Sequence, residues 1–468
     1  MPTVSAPPQV AETESPVTFP SSAADPAHAA SQSSVVDESE KSPFTGPSRW
    51  HVLLATWLGG VFDGMDSSIF AMVLFPCLSE LLHTSSHSVV GQHGSYIISL
   101  FMLGWAVGAM FFGSLADHIG RAKTLTITIL LYAVCTGLCA WAHSWQELGL
   151  YRFLVGAGIG GEMGIGAVLL NECWPGKTRV YAVGAMATSL GFGYFLTAIL
   201  NLWLGGFGWR WLFIAGVAPA FLTFYLRAKL KEPEEFMQHI EERARSVAGQ
   251  GRNAFADAVG HSAACFMGLF DQENRKKTIA VAAVASTAIV TWWAVIAWIP
   301  AWINQLTGQL AVVERSHAMF LKDIGMIMSG VLGGLLIRRF GYKACMATAF
   351  TMAFVSSVGM FLTVKSFGPA LLCWLTVLGF FAHLPFVIMW TYIPELYAVR
   401  IRSTAFGFIY NFGRFLAAFV ALGSGALIQF FNGSYAFAAS TVAGIYLVGL
   451  VAVAIMPSQG DHLESVTD

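Results

Sequence analysis

Charge is what this sequence has least of. Of its 468 residues only 11% are Asp, Glu, Lys or Arg, against roughly 25% in soluble chains. A water-facing surface of that size cannot be furnished from so few, which excludes a soluble enzyme. A basic excess is missing as well. With 26 Lys+Arg against 27 Asp+Glu the formal net charge is -1, so the electrostatic footprint of a nucleic-acid binder is absent. Cysteine spacing is equally uninformative for chemistry. The seven cysteines include no Cys-x-x-Cys, which argues against a disulfide framework or a zinc site. No metal and no cofactor is expected. Disorder of the whole chain is excluded by an apolar content of 56% and a mean hydropathy of +0.62. A polytopic, all-helical membrane protein is what remains.

What is present is a series of long apolar runs. A span needs about 20 mostly apolar residues to cross the hydrocarbon, and twelve such runs follow Trp50, each bounded to within about four residues. They cover 50–76, 93–115, 122–142, 146–170, 180–204, 208–228, 278–305, 318–338, 343–363, 367–391, 403–430 and 434–456. Residues 1–48 lack an apolar core and read as a disordered cytoplasmic tail. The only long polar stretch between runs, 229–277, reads as a central cytoplasmic loop. It separates an N-terminal six-helix half (49–228) from a C-terminal one (278–457), and 458–468 forms a second tail. Of the 26 Lys and Arg, 20 fall in the first tail, the central loop and the loops after spans two, four, eight and ten. The positive-inside rule then puts both termini in the cytoplasm, in the plasma or inner membrane.

An internal repeat supports the two halves. GSLADHIGRAK after span two carries Gly113, Asp117, Gly120, Arg121 and Lys123. GLLIRRFGYK after span eight carries Gly334, Arg338, Gly341 and Lys343, and Gly334, Arg338 and Gly341 lie 221 residues on from Gly113, Asp117 and Gly120. Glu172 and Arg179 after span four are mirrored by Glu395 and Arg402 after span ten, 223 residues on. Repeats about an axis along the membrane normal build one class of transporter, with the site between the halves near mid-membrane. The first motif resembles the signature loop of the major facilitator superfamily, and the degenerate second copy and the Glu…Arg pairs are similar to that family too. Asp63-Gly64-Met65-Asp66 resembles proton-coupled aromatic-acid symporters, while RFLVGAGIGGEMGIG looks more like the sialate and lactate symporter group. The resemblance implies two pseudo-symmetric six-helix halves. It also implies a gating latch made by Gly113, Asp117, Gly120, Arg121, Lys123, Glu172, Arg179, Arg338, Glu395 and Arg402.

Ionisable groups at membrane depth are costly and face a cavity or a partner. Asp63 and Asp66 lie three positions apart near mid-membrane, on nearly one helical face. Their burial and mutual repulsion suit a group that loads and releases a proton. Glu162, in the small-residue run of span four, is a second proton site or the partner of an arginine. Arg414 and Arg152 are candidates for the substrate carboxylate, since guanidinium pairs carboxylates through two parallel hydrogen bonds. For Arg152 a fixed ion pair with Asp63 or Asp66 is the alternative. Asn411, one turn before Arg414, and Tyr194, Trp293 and His383 complete the candidate binding set. Lys322 and Asp323, at the start of span eight, read as solvated helix-end charges, with an outer gate as the alternative. Gly156-x-Gly158-x-x-Gly161 satisfies a dinucleotide fingerprint only on paper, because it lies inside a span and no strand precedes it. Helix packing explains it better.

The expected function is proton-coupled symport of an organic anion (sialate, lactate or an aromatic acid) by alternating access, with the bilayer and a small-molecule anion as partners. A functional monomer is expected. The rivals are a carrier of neutral sugars or polyols and a non-transporting sensor of the same fold. An enzyme is not expected, since no Ser/Lys pair and no Asp pair on facing helices is visible.

Overall fold

The computed structural model describes residues 49–119, 121–174, 176–228, 266–308, 311–397 and 399–457. They form twelve helical rods, and among the described residues there is no strand. The first six are α1 (Arg49–Leu81), α2 (His87–Ile119), α3 (Arg121–Cys139), α4 (Trp145–Cys173), α5 (Gly176–Leu204) and α6 (Trp209–Ala228). The second six begin with α7 (Arg275–Thr307), which tightens to a 3-10 turn at Ile296–Trp298. α8 (312–340) and α9 (342–363) follow one another without a loop. α10 is Pro369–Leu396, α11 is Val399–Phe430, and α12 is Tyr435–Ile455. Among the described residues eight helical stretches are long and apolar enough to cross a bilayer, and one of them, Val312–Thr363, is bent in two at Gly341.

The rods overrun the apolar runs of the sequence. α2 continues to Ile119 and α3 starts at Arg121, so the Gly113-to-Lys123 motif is helix almost throughout, not a loop. α4 starts where the sequence offers a cap: Ser144 accepts from the Glu147 amide at 3.2 Å, and Glu147 accepts from the His143 amide at 2.9 Å. That reciprocity satisfies donors a helix start leaves open. α8 begins at Val312, six residues before the predicted 318. Gly341 makes the α8–α9 turn with φ 79 and ψ 164, a region essentially reserved for glycine.

Polarity is distributed inside out. Trp203, Phe207, Leu335, Phe419 and Val451 point outward, whereas Asp63, Asp66, Arg152, Arg315, Lys322 and Asp323 are buried. Large apolar side chains on the outside suit lipid as the surrounding solvent, and charges gathered inside are what membrane depth demands. Without a hydrophobic drive between helices, close approach of small residues holds such bundles together. A Cβ at Gly104 would stand 2.0 Å from the Phe153 carbonyl oxygen, and one at Gly156 would stand 2.2 Å from that of Phe101, so α2 and α4 touch backbone to backbone. Gly158 meets the α3 backbone at Thr128 and Tyr132, and Gly161 meets the side chains of Phe112 of α2 and Thr128 of α3. The glycine fingerprint is therefore a packing face.

The two sets of six helices meet along two seams, α2 against α11 and α5 against α8. Toward the face carrying the α1–α2 turn, polar contacts fasten both. Gln429 Nε2 donates to Gln92 Oε1 at 2.5 Å, and the Ser99 hydroxyl donates to the Ala418 carbonyl. On the other seam Asn201 Nδ2 donates to Ser316 Oγ at 2.8 Å. Arg315, buried, donates from Nη1 to Asn304 Oδ1 at 3.3 Å and from Nη2 to Asn201 Oδ1 at 3.2 Å.

Candidate functional site

α1 supplies two carboxylates from one face, and both are 1% exposed. Gly64 between them brings the α1 backbone onto α5, where a Cβ would lie 2.8 Å from the Leu190 carbonyl oxygen. Thr136 Oγ1 donates to Asp66 Oδ1 at 2.6 Å. Arg152 Nη1 stands 3.6 Å from Asp66 Oδ2, and its Nη1 and Nη2 donate to the Asp66 backbone carbonyl at 3.4 and 3.3 Å. The guanidinium also lies 4.5 Å over the Phe101 ring. Of the two arrangements open to Arg152, this conformation holds the ion pair with Asp66.

Arg414 of α11 belongs to the same region. Its Nη1 donates to Asn411 Oδ1 at 3.0 Å, and its guanidinium lies 4.4 Å over Trp105 and 4.5 Å over Tyr410. Asp63 is the carboxylate that acts on it electrostatically. Trp293 of α7 packs against Phe101 at 5.5 Å and Trp105 at 6.2 Å, between the two cationic groups.

The largest departure from the sequence reading is on α8. Lys322 and Asp323 are not solvated helix ends. Their side chains are 2% and 1% exposed and pair directly with one another. The cause is the early start of α8: Lys322 is ten residues past Val312, about 15 Å along the axis at about 1.5 Å per residue. The Lys322 ammonium lies 4.5 Å over Tyr194 and 5.4 Å over Trp292, and Trp292 Nε1 donates to the Tyr194 hydroxyl at 3.3 Å. His383 of α10 closes the group from behind. Its Nδ1 is 2.7 Å from Ser329 Oγ, and its ring meets Trp292 edge-on at 6.3 Å.

Ser67, Met72, Tyr194, Trp292, Lys322 and Asp323 surround an enclosed space of about 30 Å³ between the two sets of helices. That is room for about two waters, at about 10–15 Å³ each, and not for an organic acid. Of the predicted site residues, Asp63, Asp66, Arg152, Arg414, Asn411, Tyr194, Trp293 and His383 are brought to the region between the two sets of helices. Glu162 stands on α4, but its side chain lies outside the described residues, as do those of Gly113, Asp117, Arg121, Lys123, Glu172 and Arg179, and all of Gly120. In the second copy of the motif, Arg338 Nη1 donates to the Tyr181 hydroxyl at 2.7 Å, linking α8 to α5. The Tyr342 hydroxyl donates to Glu395 Oε2 at 2.9 Å, and Arg402 Nε donates to the Tyr397 carbonyl at 3.4 Å. Sequence reasoning missed Arg315, Asn201 and the burial of Lys322 and Asp323. Two opposite charges side by side inside an apolar stretch were the signal for the last.

Comparisons with known proteins agree with this architecture. The family model of the Major Facilitator Superfamily matches residues 56–421. The niacin transporter NiaP of Acinetobacter baylyi is 24% identical over 388 residues, covering 79% of this chain and 85% of that one. The cis,cis-muconate transport protein of the same organism is 25% identical, with 80% and 86% covered. The sialic acid transporter NanX of Escherichia coli is 23% identical, with 78% and 84% covered. Among solved structures, the inward open conformation of the E. coli xylose transporter XylE superposes with a TM-score of 0.65 at 17% identity, over 89% of this chain and 99% of that one. The chain therefore belongs to the Major Facilitator Superfamily and is a multi-pass membrane transporter.

Proposed function

We propose that this transporter carries an organic anion in symport with protons, by alternating access around the site between its two six-helix halves. The observation that carries the reading is the buried set of opposite charges there. Asp66 with Arg152 and Asp323 with Lys322 are buried ion pairs, Asp63 and Arg414 are buried as well, and Lys322 and Asp323 line a small aromatic-walled space with Tyr194 and Trp292. Buried cations surrounded by aromatic faces suit a carboxylate attached to an apolar body. Buried acids suit proton loading, because desolvation and neighbouring charge set which form is stable. Relatives named for niacin, muconate and sialic acid support an organic acid as cargo.

In this reading Asp63, Asp66 and Glu162 take the protons, and Arg414 with Asn411 receives the carboxylate. Tyr194, Trp293 and His383 form its walls, and Arg152 holds Asp66 until it is protonated. Both termini are cytoplasmic and the carrier sits in the cell membrane as a functional monomer. The Asn201–Arg315–Asn304 contacts then close the outer side. Asp117, Arg121, Lys123, Glu172, Arg179, Arg338, Glu395 and Arg402, with Gly113 and Gly120, form the cytoplasmic latch. A monoanion entering against an inside-negative potential needs more than one proton to be electrically driven, and several buried acids allow that.

The test is simultaneous recording of substrate uptake and internal acidification in proteoliposomes. The panel holds a sialic acid, lactate, a hydroxybenzoate, a dicarboxylate and two neutral sugars. One acid entering together with protons supports the reading. A neutral sugar entering while Arg414→Gln has no effect supports a sugar carrier instead.

A further inference from the structure

We propose that Lys322 and Asp323 form an exchange pair that works beside Arg414: Asp323 occupies the Lys322 ammonium in the unloaded carrier and, on taking up a proton, yields it as a second cation for the carboxylate that Arg414 receives. This rests on the reading of the chain as a proton-coupled carrier of organic anions. The geometry is specific. Both side chains are at most 2% exposed and both line the central space. Among the described residues no hydrogen-bond donor other than the Lys322 ammonium reaches either Asp323 oxygen. A buried carboxylate is normally satisfied by several donors. One held by a single ion pair loses that pair to a competitor at the cost of one contact, and protonation removes its need for a partner.

Charge balance gives the pair its direction. Before loading, the ammonium and the Asp323 carboxylate sum to zero. After loading, the ammonium and the bound carboxylate sum to zero, and Asp323 carries a proton as a neutral acid. One anion and one proton therefore enter with no change of buried charge. Entry of the anion alone would leave an uncompensated negative charge in low dielectric, which is strongly disfavoured.

The groups facing the pair favour this assignment. From α5 comes the Tyr194 hydroxyl, which also lies within electrostatic reach of Arg152, and from α10 comes His383, whose ring feels the Lys322 charge. From α7 come Trp292 and Trp293, which carry no titratable group. Asp323 is the acid nearest the ammonium, and the two aromatic faces over the ammonium remain in place when its partner changes.

The test uses purified full-length protein in nanodiscs with benzoate and N-acetylneuraminate as probes, both ionised throughout pH 6–8. Binding is read by calorimetry, and folding of each variant by its unfolding midpoint. The wild type is expected to bind one probe at least tenfold more weakly at pH 8 than at pH 6. Asp323→Asn should bind it at pH 8 about as tightly as the wild type does at pH 6, with the pH dependence flattened. Lys322→Met should lose binding at both values, and Lys322→Arg should retain part of it. An Asp323→Asn protein that keeps the wild-type pH dependence, or a Lys322→Met protein that binds normally, overturns the exchange pair. If the wild type accumulates an acid in vesicles while the variants give those results, only the exchange pair falls. If it accumulates no acid at all, the carrier reading falls with it.

Discussion

Among the described residues Arg152 is the cationic partner of Asp66, so the two side chains are energetically one unit. Removing one member of a buried pair strands the other, typically at about 3–5 kcal/mol, whereas removing both is often far milder. Arg152→Met is therefore expected to lower the unfolding midpoint of the purified protein by several degrees, and Asp66→Asn in the same chain to restore most of it. Equal destabilisation of single and double variants would show that the pair is not coupled. Arg414→Lys makes a different point. It keeps the charge but loses the planar group stacked over Trp105 and Tyr410 and the fork that meets a carboxylate. Substrate affinity is expected to drop about tenfold, read as a raised KM in uptake. The α1 acids and Arg414 were legible in the sequence because a charge deep in an apolar run has no bland explanation. Lys322 and Asp323 were not, because Glu314, Arg315, Ser316 and His317 just before them look like the end of a loop. Only the fold shows that Arg315 is itself buried and that the helix has already begun.

At the scale of elements, backbone contact decides what can change. α2 and α4 meet through Gly104 and Gly156 with no room for a Cβ. Gly156→Val should abolish the folded monomer in detergent, seen as loss of the monodisperse peak in size exclusion. A folded, active Gly156→Val protein would contradict the packing described. Asn201 ties α5 to α8 through Ser316 and Arg315. If this closes the outer side, Asn201→Ala should let a cysteine placed at Met72 react severalfold faster with an impermeant maleimide added from outside. Unchanged labelling would remove the contact from the gate. The order and number of rods could be read from hydropathy, since each needs its own apolar length. Their ends could not, because α2, α8 and α11 continue as helix into polar sequence that hydropathy counts as loop. The turn at Gly341 was marked in the sequence by its place in the repeat, but its left-handed φ belongs to the structure.

For the whole molecule, the account makes one demand: accumulation of an organic anion must draw on protons through the buried acids between the halves. Two seams fastened toward one face and a centre with room for about two waters leave no space for an organic acid in this conformation. In the proposed function the driving force enters as protonation of the buried acids. The most direct measurement is uptake of the acid panel into proteoliposomes with and without an inward proton gradient, on the wild type and on Asp66→Asn. The account predicts that the gradient drives one acid to accumulate above its external concentration, and that Asp66→Asn abolishes the accumulation while still exchanging labelled for unlabelled acid. Uptake that ignores the gradient, or accumulation that survives in Asp66→Asn, would contradict it.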